Sequence, residues 1–276
     1  MSAVSSTPAL VDTHCHLAAP EFDADRFEAL AAARALGVRR FVTIGTTLED
    51  SQAGLRLARA HTAVYAAVGI HPNHSHLQPG DYLRRLEETA RDPKVVALGE
   101  IGLDYHWNRA PRAQQHKVFR EQLALAARIG LPVAIHCREA MPDVLQCLAE
   151  WIHSSAYIDT PLAARPYAGI LHAFSGNAAE ARQAREMNFL LGLGGPVTFK
   201  NARDLHALVP HLELAGLVLE TDAPYLSPHP YRGKRNEPKH IPLICNRIAE
   251  LMGISAAAVA ARTTANTHSL FGWSPD

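Results

Sequence analysis

Several residues able to bind metal or move protons close short apolar runs of this chain. The first run ends in Asp12-Thr13-His14-Cys15-His16. Alternation along an extended strand puts His14 and His16 on one face and Cys15 on the other. Two imidazoles so placed could chelate one ion, although an isolated pair of this spacing is equally a pair of hydrogen-bonded core or surface histidines. Asp12 shares that face and could orient a ligand instead. Glu100 directly follows Val95–Gly99. A carboxylate there is costly unless a cation or metal compensates it. An arginine partner is the plain alternative, while its two oxygens would also let it bridge two ions. Asp104 reads as structural, holding an arginine or capping the following turn. His136 and His172 each close an apolar run, and Asp222 stands just beyond another. Taken singly, each histidine is as well explained as a core residue, and the aspartate as a turn cap.

The elements that must position these residues are eight short β-rich runs alternating with segments of helical period. The runs are Ala9–His14, Val38–Ile44, Val64–Ile70, Val95–Gly99, Pro132–His136, Gly169–His172, Phe189–Leu193 and Leu217–Glu220. Among the helices, Arg26–Leu36 groups Phe27, Leu30, Ala31 and Ala35 on one face, and Gln114–Arg128 turns Phe119, Leu123 and Ala126 toward a core. Ser51, Asp81 and Asn177 stand at expected helix starts. Seven intervening helices and a helical tail from Ile241 give the pattern of an α/β protein of the (β/α)8 TIM-barrel type, with residues 1–276 as one domain. An open doubly wound sheet is the competing fold. It would spread the polar residues closing strands 1, 4, 5, 6 and 8 along an edge, whereas a barrel gathers them at one mouth.

Gathered there, four histidines and two carboxylates are too many for one open catalytic ion and enough for two. Imidazole and carboxylate donors without thiolates suit Zn²⁺, Mn²⁺ or Co²⁺, and carboxylates also admit Mg²⁺. Lys and Arg together number 27, as do Asp and Glu. That balance excludes broad electrostatic coating of duplex nucleic acid and leaves local contact at a pocket or strand end. The four cysteines form no CxxC pair, which fits a reducing cytoplasm. Neither a signal peptide nor a membrane span is expected, and a monomer is.

The ordered set Thr13-His14-Cys15-His16, Gly99-Glu100-Ile101-Gly102-Leu103-Asp104-Tyr105, Ile135-His136-Cys137-Arg138-Glu139-Ala140, His172-Ala173-Phe174-Ser175-Gly176 and Glu220-Thr221-Asp222-Ala223-Pro224-Tyr225-Leu226 resembles the TatD family of metal-dependent hydrolases. Arg232-Gly233-Lys234-Arg235-Asn236-Glu237-Pro238 and the closing Thr264-Ala265-Asn266 to Leu270-Phe271 extend the resemblance over nearly the whole chain. It implies a hydrolase with two divalent ions (Zn, Mg or Mn), often a 3′–5′ exonuclease on single-stranded DNA or RNA ends. Carried onto matching positions, His14 and His16 hold one metal and His136 and His172 the other. Glu100 bridges them, and Asp222 binds the first metal and takes the proton of the attacking water. His71 and Arg138 would contact substrate phosphate, although Arg138 could instead pair with Asp104 or Glu139. Lys234 and Arg235 either meet the nucleic-acid backbone or belong to a solvated loop. One departure is His71-Pro72-Asn73-His74, where the family often shows His-Pro-His. The alternative function is ester or amide hydrolysis at the same two-metal site, as in a D-aminoacyl-tRNA deacylase. A non-catalytic metal-binding scaffold would have lost its general base, yet Asp222 is present.

Overall fold

A computed structural model describes residues 9–107 and 109–274. Eight parallel strands form one sheet in sequence order: β1 Leu10–Cys15, β2 Val38–Ile44, β3 Val64–Val68, β4 Val95–Asp104, β5 Val133–Arg138, β6 Gly169–Leu171, β7 Phe189–Leu193 and β8 Leu217–Leu219. Between them run α1 Arg26–Ala35, α2 Leu48–Ala60, α3 Tyr82–Ala90, α4 Arg112–Ile129, α5 Met141–Ile152, α6 Ala178–Glu186 and α7 Arg203–Leu208. After the last strand come α8 Ile241–Met252 and α9 Ala256–Phe271. The expected (β/α)8 barrel is therefore observed. One apolar layer lies between strands and helices. A second joins Val42, Ile44, Ala67, Val96, Ile170, Leu190 and Val218 from six different strands, which can meet only inside the barrel, and Leu270 and Phe271 pack onto it.

The barrel closes between β1 and β8, where the ladder shrinks to a bridge between Cys15 and Ala223. Side chains reinforce this seam. Thr13 Oγ1 donates to the Leu219 carbonyl at 2.9 Å, and Asp12 accepts from the Thr221 amide at 2.9 Å and its hydroxyl at 2.6 Å. Burial pushes the Asp12 carboxyl up to about 8, against the lowering effect of these Thr221 bonds. Asp12 is thus a seam residue.

β4 is longer than expected, running through Glu100 to Asp104 instead of ending at Gly99. Its pairing with β5 slips by one residue between Leu98↔Val133 and Ile101↔Ile135, an irregularity of the kind that re-aims side chains beside active sites. Gly99 and Gly102 permit it. A Cβ on Gly99 would lie 2.6 Å from Ala134 Cβ, and one on Gly102, whose φ is +141°, would lie 2.0 Å from the His136 carbonyl oxygen.

Three local expectations are corrected. α1 buries Ala29, Leu30 and Ala33, while Phe27 is 56% exposed and packs on His61. In an alanine-rich helix two faces satisfy the same period, so periodicity could not choose between them. α2 is capped by Thr47, whose hydroxyl accepts from the Asp50 amide, and Ser51 lies within the helix. Asp81 precedes α3 without a side-chain cap bond. Asn177 does cap α6, in a reciprocal box with Glu180. Among the described residues no single helix is long and apolar enough to cross a membrane.

The seam gives a direct test. Thr221→Val removes the hydroxyl that Asp12 accepts while keeping the side-chain shape. With divalent metal chelated, it should lower unfolding free energy by about 1–3 kcal/mol, read as a reduced denaturant midpoint at constant m. An unchanged midpoint would show that closure does not depend on this bond.

Candidate metal centre

The seam and the irregular β4 bring the strand-end residues together. The Asp222 amide donates to the His14 carbonyl at 2.8 Å and the His16 amide to the Ala223 carbonyl at 2.6 Å, so β1 and β8 deliver His14, His16 and Asp222 as a unit. Asp222 holds φ +58°, a left-handed conformation uncommon for a residue with a side chain. His14 Nε2 and His16 Nε2 lie 3.6 and 3.3 Å from Asp222 Oδ1, and 3.6 and 3.8 Å from Glu100 Oε2. The other oxygen of Glu100 faces a different group. Its Oε1 lies 2.6 Å from His136 Nδ1, 3.6 Å from His172 Nε2 and 3.7 Å from His71 Nε2.

Most of these donor separations are close to the edge of a tetrahedron of donors around one ion, about 3.3 Å for bonds of roughly 2.0 Å. His14, His16 and Asp222 form one group that could hold a cation, and His71, Glu100 and His136 another. His14 Nε2 is buried with no hydrogen-bond partner, which is costly for a polar atom unless something else engages it. The donor set and this orphaned nitrogen fit divalent metal.

The local charges agree. Burial pushes the His14 imidazole down, helped by His172, and pushes His71 down to about 3 with His136 adding to the effect. Both shifts favour the uncharged ring. Burial opposes charge on Glu100, yet His71, His136 and His14 hold its carboxyl well below the usual range. Asp222 is likewise held down against burial, by His16, His172 and His14. His16 is raised by Asp222 and Glu100, and His136 by Glu100 and Asp104, each against burial. Glu220 carries His172 up to about 10 despite burial.

Glu220 was not singled out from the sequence. It is fully buried, and its Oε1 lies 3.1 Å from His172 Nδ1 and accepts from the Ala173 amide at 2.6 Å. This orients the ring so that Nε2 faces Glu100. The available signal was a carboxylate closing an apolar strand, the same signal that marks Glu100. Gly192 makes room for it, since a Cβ there would lie 2.2 Å from Glu220 Oε2.

Asp104 holds no arginine. Its Oδ1 accepts from the His106 and Trp107 amides at 3.0 Å, capping the turn. Its Oδ2 accepts from Asn73 Nδ2 at 3.0 Å and lies 3.3 Å from His136 Nε2. Arg138 pairs with neither Asp104 nor Glu139, which is taken by His106 at 2.7 Å, and it lines the cavity above the cluster. Arg235 is engaged within the protein, with both Asp25 oxygens holding its guanidinium at 2.6–2.7 Å. Lys234 is exposed. All four cysteines are free thiols.

The family profile described as TatD related DNase matches residues 11–272. An uncharacterised metal-dependent hydrolase of Bacillus subtilis, YabD, is 40% identical over 262 residues, covering 95% of this chain and 98% of that protein. A protein of Cronobacter sakazakii named 3′-5′ ssDNA/RNA exonuclease TatD is 35% identical over 267 residues, covering 95% and 97%. The crystal structure of YjjV, a TatD homologue from Escherichia coli, superimposes with a TM-score of 0.87 at 31% identity, covering 96% of this chain and 98% of that one.

Loss of the ring-orienting acid should be visible without any assay of activity. Glu220→Ala is expected to weaken Zn²⁺ affinity about 10–100-fold, measured by competition with a chromophoric chelator. Unchanged affinity would mean that His172 keeps its orientation unaided.

Proposed function

The chain belongs to the TatD-related DNase family, and from that premise we propose that it is a metal-dependent phosphodiesterase that removes nucleotides from the 3′ ends of single-stranded DNA or RNA. The observation that carries this reading is the division of Glu100. One oxygen faces His14 and His16, and the other faces His136 and His172. His14, His16 and Asp222 on one side and His136 and His172 on the other, with Glu100 common to both, would hold two divalent ions, Zn²⁺, Mg²⁺ or Mn²⁺. Bound there, such ions would supply a water of lowered pKa and positive charge against the phosphate oxygens.

The protein's own groups then divide the work. Asp222 is anionic, lies on the His14 and His16 side and opens onto the cavity, so it accepts the proton of the attacking water. Arg138, with no acidic partner among the described residues, donates a charge-assisted hydrogen bond to a non-bridging phosphate oxygen.

His71 serves the substrate in this scheme. Its Nδ1 accepts the Asn73 amide hydrogen at 3.1 Å. In a neutral ring that bond leaves the proton on Nε2, the nitrogen directed at the cluster. A ring nitrogen that carries a proton cannot ligate metal but can donate to a phosphate or leaving-group oxygen. The site is built from one chain, and a monomer is taken as the working unit. Four free thiols suit the reducing cytoplasm assigned to it.

Release of nucleotides from 3′-labelled single-stranded DNA and RNA tests the activity, with Mg²⁺, Mn²⁺ or Zn²⁺ restored after chelation. Asp222→Asn should lower kcat by about 10²–10⁴-fold, and Glu100→Ala should abolish trimming and lower the bound metal below two equivalents. No trimming with any metal, by protein that still binds two ions, would shift the assignment to ester or amide substrates such as mischarged tRNA. His71→Ala separates donor from ligand. The expected result is impaired trimming with metal stoichiometry intact, and a lost equivalent of metal would make His71 a ligand.

A further inference from the structure

Three residues beyond Asp104, Trp107 is 46% exposed on the wall of the cavity that holds Glu100 and His136. A single exposed aromatic residue is ordinary, but this one is tied to the reacting centre. Asp104 grips the Trp107 amide through Oδ1 while Oδ2 faces His136. One buried carboxylate therefore sets both the imidazole and the start of the segment carrying the indole. His106 meets the ring edge-to-face at 4.9 Å, and two guanidinium groups lie over it, Arg109 at 5.5 Å and Arg138 at 6.0 Å from its centroid. Neither has an acidic partner among the described residues, and the nearby Glu139 is occupied by His106. Arginines without counter-charge beside a part-exposed indole are the two components from which single-stranded nucleic-acid sites are made, one for phosphate and one for the base.

We propose that Trp107 is the stacking platform for an unpaired nucleobase of the substrate strand, with Arg138 and Arg109 holding the phosphates that flank it. This rests on the nuclease reading of the metal centre and extends it to the choice of strand. Within a duplex each base has its faces covered by neighbours and its edge paired, so it reaches the indole only after unstacking. An unpaired end offers a free face at once. The platform therefore selects frayed or single-stranded ends by access to a base face, independent of base identity.

The full-length protein, with metal chelated, is titrated with a phosphorothioate oligonucleotide that resists hydrolysis. Binding should quench tryptophan fluorescence, and the quench should vanish in Trp107→Phe, which keeps a stacking ring and most of the affinity. Trp107→Ala should bind about tenfold to a hundredfold more weakly. A strand whose last three nucleosides carry tetrahydrofuran in place of a base should bind wild type and Trp107→Ala equally. On the hydrolysable strand the loss should fall in KM and not in kcat. Equal binding of the normal strand by wild type and Trp107→Ala overturns the platform, as does an equal loss on the base-free strand. Hydrolysis is read separately with metal restored. A protein that binds with a Trp107-dependent quench yet cleaves nothing refutes the nuclease reading and leaves the platform. One that cleaves without Trp107-dependent binding refutes the platform alone, and one that does neither refutes both.

Discussion

Glu100 is a carboxylate only 3% exposed, set in a strand that is otherwise apolar up to the terminal Asp104, with imidazoles against both of its oxygens. Such a charge is strongly unfavourable in isolation and tolerable only when its surroundings compensate it from several sides. Compensation from His14, His16, His71, His136 and His172 requires strands 1, 3, 5 and 6 to end within a few ångströms of strand 4. An open sheet holds such strands at increasing distance along an edge, about 4.8 Å per step. A barrel brings them to one mouth. The electrostatic need of one carboxylate and the closure of the sheet are therefore the same constraint seen at two scales.

The seam between β1 and β8 makes that constraint physical. Few backbone bonds join these strands, and Asp12, Thr13 and Thr221 supply the remainder through side chains. The residues following Thr13 and Thr221 in sequence are His14 and Asp222 of the candidate centre, so a change in closure displaces these groups directly. Glycines complete the arrangement where strands approach too closely for a Cβ. Gly99 and Gly102 admit the displaced register around Glu100, and Gly192 admits Glu220 beneath His172. Space for the acids is as specific a requirement as the acids themselves.

What was legible in the sequence follows the same logic. Each histidine or acid at a strand end had a plain alternative on its own, but six of them closing strands 1, 4, 5, 6 and 8 did not, so the set stood out and favoured a barrel over an open sheet. Glu220 carries the same mark, but an orienting acid is defined by its partner, and the pairing with His172 spans 48 residues of sequence. Asp104 was legible as a turn cap and illegible as a neighbour of His136 for the same reason. The buried face of α1 was hidden because alanines at Ala29 and Ala33 contribute little to a hydrophobic pattern. Arg235 was open to either a substrate contact or a solvated loop because its partner Asp25 lies 210 residues away.

The departure at Asn73 shows how a local difference can be absorbed by the fold. The Nδ1 atom of His71 accepts from the backbone amide of residue 73, a group any residue except proline would supply there. The side chain at that position acts elsewhere, donating its amide to Asp104 Oδ2. An asparagine is a neutral donor at every pH, whereas a histidine in its place would donate with a strength that changed as it titrated. Asp104 in turn sets the surroundings of His136 and the turn carrying Trp107. The departure thus leaves the chemistry proposed for His71 intact and gives Asp104, which lies between the candidate metal centre and the proposed Trp107 platform, a partner that does not titrate.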